Sequence, residues 1–281
     1  MPLIFAATPL GNFLDASENL KNAVTQAEII LAEDSRRFSR LAKDLNVSYV
    51  GKVISFFEGN EIKRIEQILS LLKADKMVLA LTDAGMPGIS DPGFRLAQIA
   101  IENKIKFSVI PGPSAVTTAL LHSGLPCDKF VFEGFIGKTS TARKKYFESI
   151  KNESRTLIYF ESPKRITNFL QDAAINLGPE RNACICREMT KEYEEIVRGT
   201  LLELLEWSKS KEMLGEFTVV VAGNLLQSKL SKKEVLILHA NLVKKGLSKK
   251  EVNEQVINES GWSKREIFDL LVSEKTNQGK R

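Results

Sequence analysis

Between residues 3 and 112, five short apolar runs alternate with stretches of helical periodicity, and no other feature restricts the fold as much. "LIFAAT" (3–8), "IILAED" (29–34), the start of "KVISFFEGNE" (52–61), "MVLALTDAG" (77–85) and "KFSVIPG" (106–112) read as strands. Residues 14–28, 36–47, 64–74 and 93–104 carry apolar residues at helical spacing, with Asp15 or Ser17 placed to cap the first. Strands alternating with helices of this length make crossover units and a mostly parallel sheet. The unusual residues fall after the strands. In open α/β sheets that carboxyl edge is where ligands bind.

The second half keeps the strands but only part of the alternation. Residues 129–135, 155–162, 182–189, 194–201 and 215–223 read as strands, with helices at 114–124 and 162–178. A mixed sheet is expected. With 281 residues there is room for two domains and a small appendage. Pro111-Gly112-Pro113 marks the first boundary and residues 224–230 read as a linker. The expected organisation is therefore an N-terminal α/β domain at 1–111, a second α/β domain at 112–224 and a small basic helical domain at 225–281.

Four turns, all read as following apolar strands, share one chemistry: "ATPLGN", "TDAGMPGISDPG", "PGPSA" and "MLGEF". Glycine lets the backbone take positive φ and approach a ligand closely, and proline stiffens the loop. Four stiff turns at one edge are expected to wall a pocket. No G-x-G-x-x-G follows the first strand, and "GKTS" (137–140) lacks the upstream glycine of a P-loop. No G-x-S-x-G elbow is present, and two histidines leave little room for a triad.

His122 and His239 stand far apart, and Cys184 and Cys186 form only a C-x-C, so no metal site is expected. Cys127, Cys184 and Cys186 are expected to be buried free thiols, which with the absence of a basic, apolar leader points to the cytoplasm. The net charge of +5 lies wholly in the tail, where residues 226–281 hold ten Lys and two Arg against seven acids. Such a basic module suits a polyanionic partner, or is a solvated lysine-rich surface. Within it, Ser248 and Ser263 each precede a Glu by three residues, and Gly246 and Gly261 stop the helices before them. The result is a helix-turn-helix pattern. "GKTSTARKKYFESIK" (137–151) is a second basic stretch that reads as mobile and suited to clamp RNA.

The stretches "FAATPLGNFLDAS", "AEDSRRFSRL", "SFFEGNE", "LTDAGMPGISDPG", "VIPGPSAVTTALLHSGLPCDKFVFEGF", "TLIYFESPKRI", "REMTKEYEEIVRGTL" and "GEFTVVVAG" occur in that order. Together they resemble the ribosomal RNA small subunit methyltransferase I family, of the tetrapyrrole methylase superfamily. The resemblance implies two α/β domains of tetrapyrrole-methylase type with S-adenosyl-L-methionine between them, in a homodimer. It implies methylation of the ribose 2′-hydroxyl of a cytidine in the decoding region of 16S ribosomal RNA. It places the cofactor against Pro9, Leu10, Asp83, Ala84, Gly85, Met86, Pro87, Ser114, Ala115, Gly215, Glu216 and Phe217. The chain departs from the family's usual pattern at Ser35, Phe57, Gly59, Met86 and Lys164; Met86 stands where a Thr hydroxyl is common.

On that reading Asp34, Arg36, Glu58, Glu61, Glu161 and Arg165 are candidates for activating the hydroxyl, each with an alternative as an ion pair or cap. Arg143, Lys144, Lys145, Lys249, Lys250, Lys264 and Arg265 are candidates for holding RNA. Asp83 reads as a cofactor contact, and Asp91 before Pro92 mainly as an Asx-turn. Two other functions fit parts of the chain. One is a tetrapyrrole methyltransferase, for which the basic tail has no use. The other is a non-catalytic helix-turn-helix protein, which leaves the glycine-rich turns unexplained.

Overall fold

The computed structural model describes residues 2–224 and 230–278. They form two compact units, Met1–Lys151 with Arg155–Ala222, and Asn152–Ser154 with Gly223–Arg281. Residues 225–229 of the expected linker lie outside the described residues.

The first unit opens with a parallel sheet of β1 (Leu3–Ala6), β2 (Ile29–Ala32), β3 (Lys52–Ser55), β4 (Val78–Leu81) and β5 (Phe107–Ile110), in the order β3-β2-β4-β1-β5. Helices α1 (Glu18–Gln26) and α2 (Ser35–Asp44) cover one face, and α3 (Glu61–Lys73) and α4 (Phe94–Glu102) the other. Successive strand residues point to opposite faces. Leu31, Val78 and Ala80 meet Ile68 and Leu72 of α3 and Leu96 of α4. Ile30, Leu79 and Leu81 meet Leu20 and Val24 of α1 and Phe38 of α2. Every residue of β2 and β4 is buried, which is why both read as unbroken apolar runs.

The same unit holds a mixed sheet of β6 (Phe130–Gly134), β7 (Thr156–Glu161), β8 (Asn182–Arg187), β9 (Glu195–Thr200) and β10 (Phe217–Val221), in the order β6-β7-β10-β8-β9. Only β6 and β7 run parallel; the other neighbours are antiparallel. Pro111–Pro113 lies between β5 and α5 (Ala115–Ser123), and α5 packs Val116, Ala119 and Leu120 on the second sheet. The other face carries α6 (Ser140–Ser149), α7 (Ile166–Leu177) and α8 (Leu201–Lys209). Tyr159, Phe147 and Phe169 meet there edge to face, with no exposure.

Three expectations are corrected. The basic stretch 137–151 is largely the helix α6, anchored by buried Phe147. Helix α8 follows β9 without a break, capped by Thr200 and Glu203 in a reciprocal box. Cys184 and Cys186 are buried as expected, with sulfurs 3.8 Å apart on one face of β8, but Cys127 is exposed.

In the second unit α9 (Lys232–Lys244), α10 (Lys249–Ser260) and α11 (Lys264–Gln278) bury Val235, Leu242, Val252, Val256, Ile267 and Leu270 together. Each helix opens on a serine and a glutamate that exchange hydrogen bonds: Ser231 with Glu234, Ser248 with Glu251, and Ser263 with Glu266. Gly246 and Gly261 take positive φ at the two turns, as their positions in the sequence demand. No helix among the described residues is long and apolar enough to cross a membrane.

Candidate active site

A cavity of about 400 Å³ opens inside the first unit, lined by loops of both sheets. The first sheet supplies Leu10 after β1, Glu33 after β2, Asp83–Met86 and Ile89–Asp91 after β4, and Ser114–Ala115 beyond β5. The second supplies Phe135 after β6, Phe160–Pro163 at the end of β7, and Met189 after β8. Gly215–Thr218 also line it, although they lie at the start of β10. Antiparallel pairing explains this, because Phe217 stands opposite Glu161. A lining residue can thus precede its strand as well as follow one.

The loops are tied to one another. Thr8 and Gly85 exchange backbone hydrogen bonds, N to O at 2.9 and 3.1 Å. Gly85 has φ +78°, and a side chain there would crowd Leu10 and strain the turn. Gly215, φ +94°, would bring a Cβ within 2.5 Å of Glu188. Asn12 N donates to Thr190 Oγ1 (3.1 Å), which joins the first-sheet loop to the turn that carries Met189. Both glycines therefore let turns that line the cavity pack tightly with a positive φ.

One wall is acidic. Asp83 accepts from Asp34 N at 3.1 Å and faces Arg37 Nη1 at 3.3 Å. Burial, opposed by those two partners, still pushes its carboxyl up. Burial first and the Asp83 charge second push Glu33 up. Asp91 is pushed up to about 7 by burial and by the charges of Glu33, Asp83 and Glu216. Carboxylates that raise one another in this way favour a ligand with positive charge.

The opposite wall carries Glu161. Its side chain has no exposure; Oε1 accepts from Arg165 Nη2 (2.6 Å) and Ser162 N (2.7 Å). Oε2 has no hydrogen-bond partner. A buried carboxylate oxygen left unpaired is costly, by about 1–3 kcal/mol or more, unless a ligand completes it. Phe135, 57% exposed, stands in the same cavity with its ring edge-to-face on Phe160.

Ten of the twelve residues expected to face a cofactor line this cavity: Leu10, Asp83, Ala84, Gly85, Met86, Ser114, Ala115, Gly215, Glu216 and Phe217. Pro9 and Pro87 do not. Of the six expected near the reacting hydroxyl, Glu161 lines it and Arg165 reaches it through Glu161. Asp34 caps α2 and is paired with Arg36 at 2.7 Å, which holds its carboxyl well below the usual range. Glu61 is buried elsewhere, accepting from Gly93 N (3.3 Å), and Glu58 is exposed in the turn before α3. Asp91 was expected in a turn and instead faces the cavity. Glu33, Phe135 and Met189 were not anticipated, since acids at a strand end and apolar residues in strands look structural.

The basic residues divide. Arg143 is buried, with Nε and Nη2 on Asp172 Oδ2 at 2.9 and 2.7 Å, which corrects its expected place at the surface. Lys144 and Lys145 are exposed on α6. Lys249, Lys250, Lys264 and Arg265 are exposed in the first turns of α10 and α11. Lys249, Lys264 and Arg265 edge an apolar groove with Val243 and Phe268.

Comparison with known proteins follows this geometry. A family profile described as Tetrapyrrole (Corrin/Porphyrin) Methylases matches residues 2–205. A protein of Mycobacterium tuberculosis (strain ATCC 25618 / H37Rv) named Ribosomal RNA small subunit methyltransferase I is 46% identical over 229 residues, 82% of this chain and 80% of its own. Proteins of the same name from Thermotoga maritima and Halalkalibacterium halodurans are 41% and 35% identical. The first match covers 79% of this chain and 98% of that protein. The second covers 97% and 95%. Among solved structures, the methyltransferase CobJ superposes with a TM-score of 0.60 at 15% identity, covering 79% of this chain and 93% of its own. Uroporphyrin-III C-methyl transferase from Thermus thermophilus, complexed with S-adenyl homocysteine, gives 0.56 at 15%, covering 78% and 97%. At these identities the structures are similar in fold.

Proposed function

Since the chain belongs to the tetrapyrrole methylase family and, within it, to the ribosomal RNA small subunit methyltransferase I family, we propose that it is a methyltransferase using S-adenosyl-L-methionine to methylate the ribose 2′-hydroxyl of a cytidine in the decoding region of 16S ribosomal RNA. The observation that carries the chemistry is Glu161, a buried carboxylate at the cavity wall with one oxygen paired and the other without a hydrogen-bond partner among the described residues.

The cavity fits the cofactor on its own residues. The acidic wall of Glu33, Asp83 and Asp91 complements a ligand with a sulfonium and an ammonium group. Gly85 and Gly215 give the turns that line the cavity their positive φ. When bound, the cofactor supplies a methyl group already activated on sulfur.

The protein's work is to orient and to take a proton. Ser162 N and Arg165 hold Glu161 through Oε1, so that Oε2 faces the incoming hydroxyl. A bound cofactor would supply the methyl group, and the Glu161 carboxylate would take the proton that the ribose hydroxyl gives up in the transfer. Arg165 holds Glu161 in place through the ion pair at Oε1. No histidine is needed, and neither His122 nor His239 lines the cavity. The same reading makes the enzyme a cytoplasmic homodimer, as the family resemblance implies.

The test is transfer of labelled methyl from S-adenosyl-L-methionine to small ribosomal subunits, followed by nuclease digestion and mass spectrometry. One 2′-O-methylcytidine in the decoding region is expected. Label on a base, on another nucleotide, or on a tetrapyrrole instead of RNA would overturn the assignment.

A further inference from the structure

A second cavity of about 320 Å³ lies between α6 and α7 of the first unit. Lys138, Arg143, Lys144 and Arg165 line it, against a single carboxylate, Asp172. That carboxylate is already committed. Oδ1 accepts from Ser140 Oγ at 2.8 Å, and Oδ2 takes two bonds from Arg143. Arg143 also donates to Lys138 O at 2.9 Å. The Arg143–Asp172 pair, nearly without exposure, is thus a neutral floor that fixes α6 on α7. Lys144 Nζ also stands 3.9 Å from Asp172 Oδ1, and Arg165 is paired with Glu161, so the four cations of the pocket outnumber the two carboxylates they meet and leave surplus positive charge centred on Lys138 and Lys144. Asn168 and Gln171 add amide donors from α7. Cations and amide donors around a pocket of this size suit a compact tetrahedral oxyanion.

The position of this cavity names the source of the anion. Two chain segments run from the main cavity to the second one within a few residues. Phe135 lines the first and Lys138 the second; Glu161 lines the first and Arg165 the second. Arg165 joins them directly, because the guanidinium that edges the cationic pocket also donates to Glu161 Oε1. A polyanion whose reacting sugar lies at Glu161 therefore brings a neighbouring phosphate to this pocket.

We propose that the cavity between α6 and α7 seats a phosphate of the RNA strand flanking the methylated nucleotide, an inference that rests on the RNA ribose methyltransferase reading. The seat fixes the register of the strand, since phosphate contacts position a nucleic acid without reading its bases. Arg165 is then a positioning residue shared by the seat and the carboxylate.

The test uses the full chain and a transcript of small-subunit RNA, with binding measured between 50 and 200 mM salt, roughly the range over which phosphate contacts are most visible. Lys138→Gln with Lys144→Gln is expected to weaken binding about 10-fold and to lower the slope of log K against log salt by about 1 or more. Affinity for S-adenosyl-L-methionine is expected to stay at the parent value. The Lys138→Arg with Lys144→Arg pair is expected to restore both RNA readouts. Parent-like affinity and slope in the Gln variant, or failure of the Arg variant to recover, would overturn the seat. A parent that binds RNA but transfers no methyl to it unseats the functional reading and leaves the slope to judge the seat. A parent without RNA affinity overturns both.

Discussion

At the scale of single residues, Glu161 and Asp91 do opposite things with a carboxyl group. Glu161 is paired with Arg165 through Oε1, and its buried Oε2 has no hydrogen-bond partner among the described residues. Glu161→Gln is expected to lower single-turnover methyl transfer by about 10²–10⁴-fold while calorimetry shows cofactor binding close to the parent's. Asp91 is held near neutrality, at about 7, by burial and by neighbouring acids. A cation bound beside it favours the ionised form, so cofactor affinity is expected to rise as pH rises through about 7. Titrations between pH 6 and 8, roughly spanning that midpoint, should show this rise in the parent and a flat profile in Asp91→Asn. For the cofactor-free protein the sign is reversed: a raised folded value stabilises the protein while the group is protonated. That stability is lost as pH rises from the ordinary carboxylate range through about 7, and Asp91→Asn should lose less Tm over the same range. Glu161 stood among the candidates drawn from the sequence, but the role of Asp91 was not legible there. Asp91 precedes a proline and follows glycines, the setting of a turn, and only the folded chain brings Glu33 and Asp83 to it.

At the scale of elements, strands were easier to read than the helices of the second sheet. Buried parallel strands such as β2 and β4 announce themselves as apolar runs, and post-strand glycines located most of the cavity wall. Helix α6 did not announce itself. Its sequence is mostly Ser, Thr, Lys and Arg, and its buried contacts are Phe147 and the Arg143–Asp172 pair. A charge pair that crosses between two helices has no signature in either one. Asp172→Ala leaves the Arg143 guanidinium buried without its partner and is expected to cost about 3–5 kcal/mol, measured by denaturant unfolding. Helix α8 was hidden for a different reason: Thr200 ends β9 and caps the helix at once, so no Gly or Pro separates them.

At the scale of the whole molecule, the acidic and basic chemistries are kept apart. The small basic unit carries Lys249, Lys250, Lys264 and Arg265 on two helix starts, while the main cavity lies wholly in the first unit. Removal of residues 225–281 is expected to leave cofactor binding intact and to lower the salt slope of RNA binding. An unchanged slope would show that the tail is only a solvated surface. Within the first unit the division is finer. The acidic wall comes from Glu33, Asp83 and Asp91, on loops of the first sheet, and Glu161 with its cationic neighbours comes from the second. Descent with modification can act on these two sheets separately. Loops around β6 and β7 can drift toward a new acceptor, sugar or macrocycle, while the methyl-donor end is inherited unchanged.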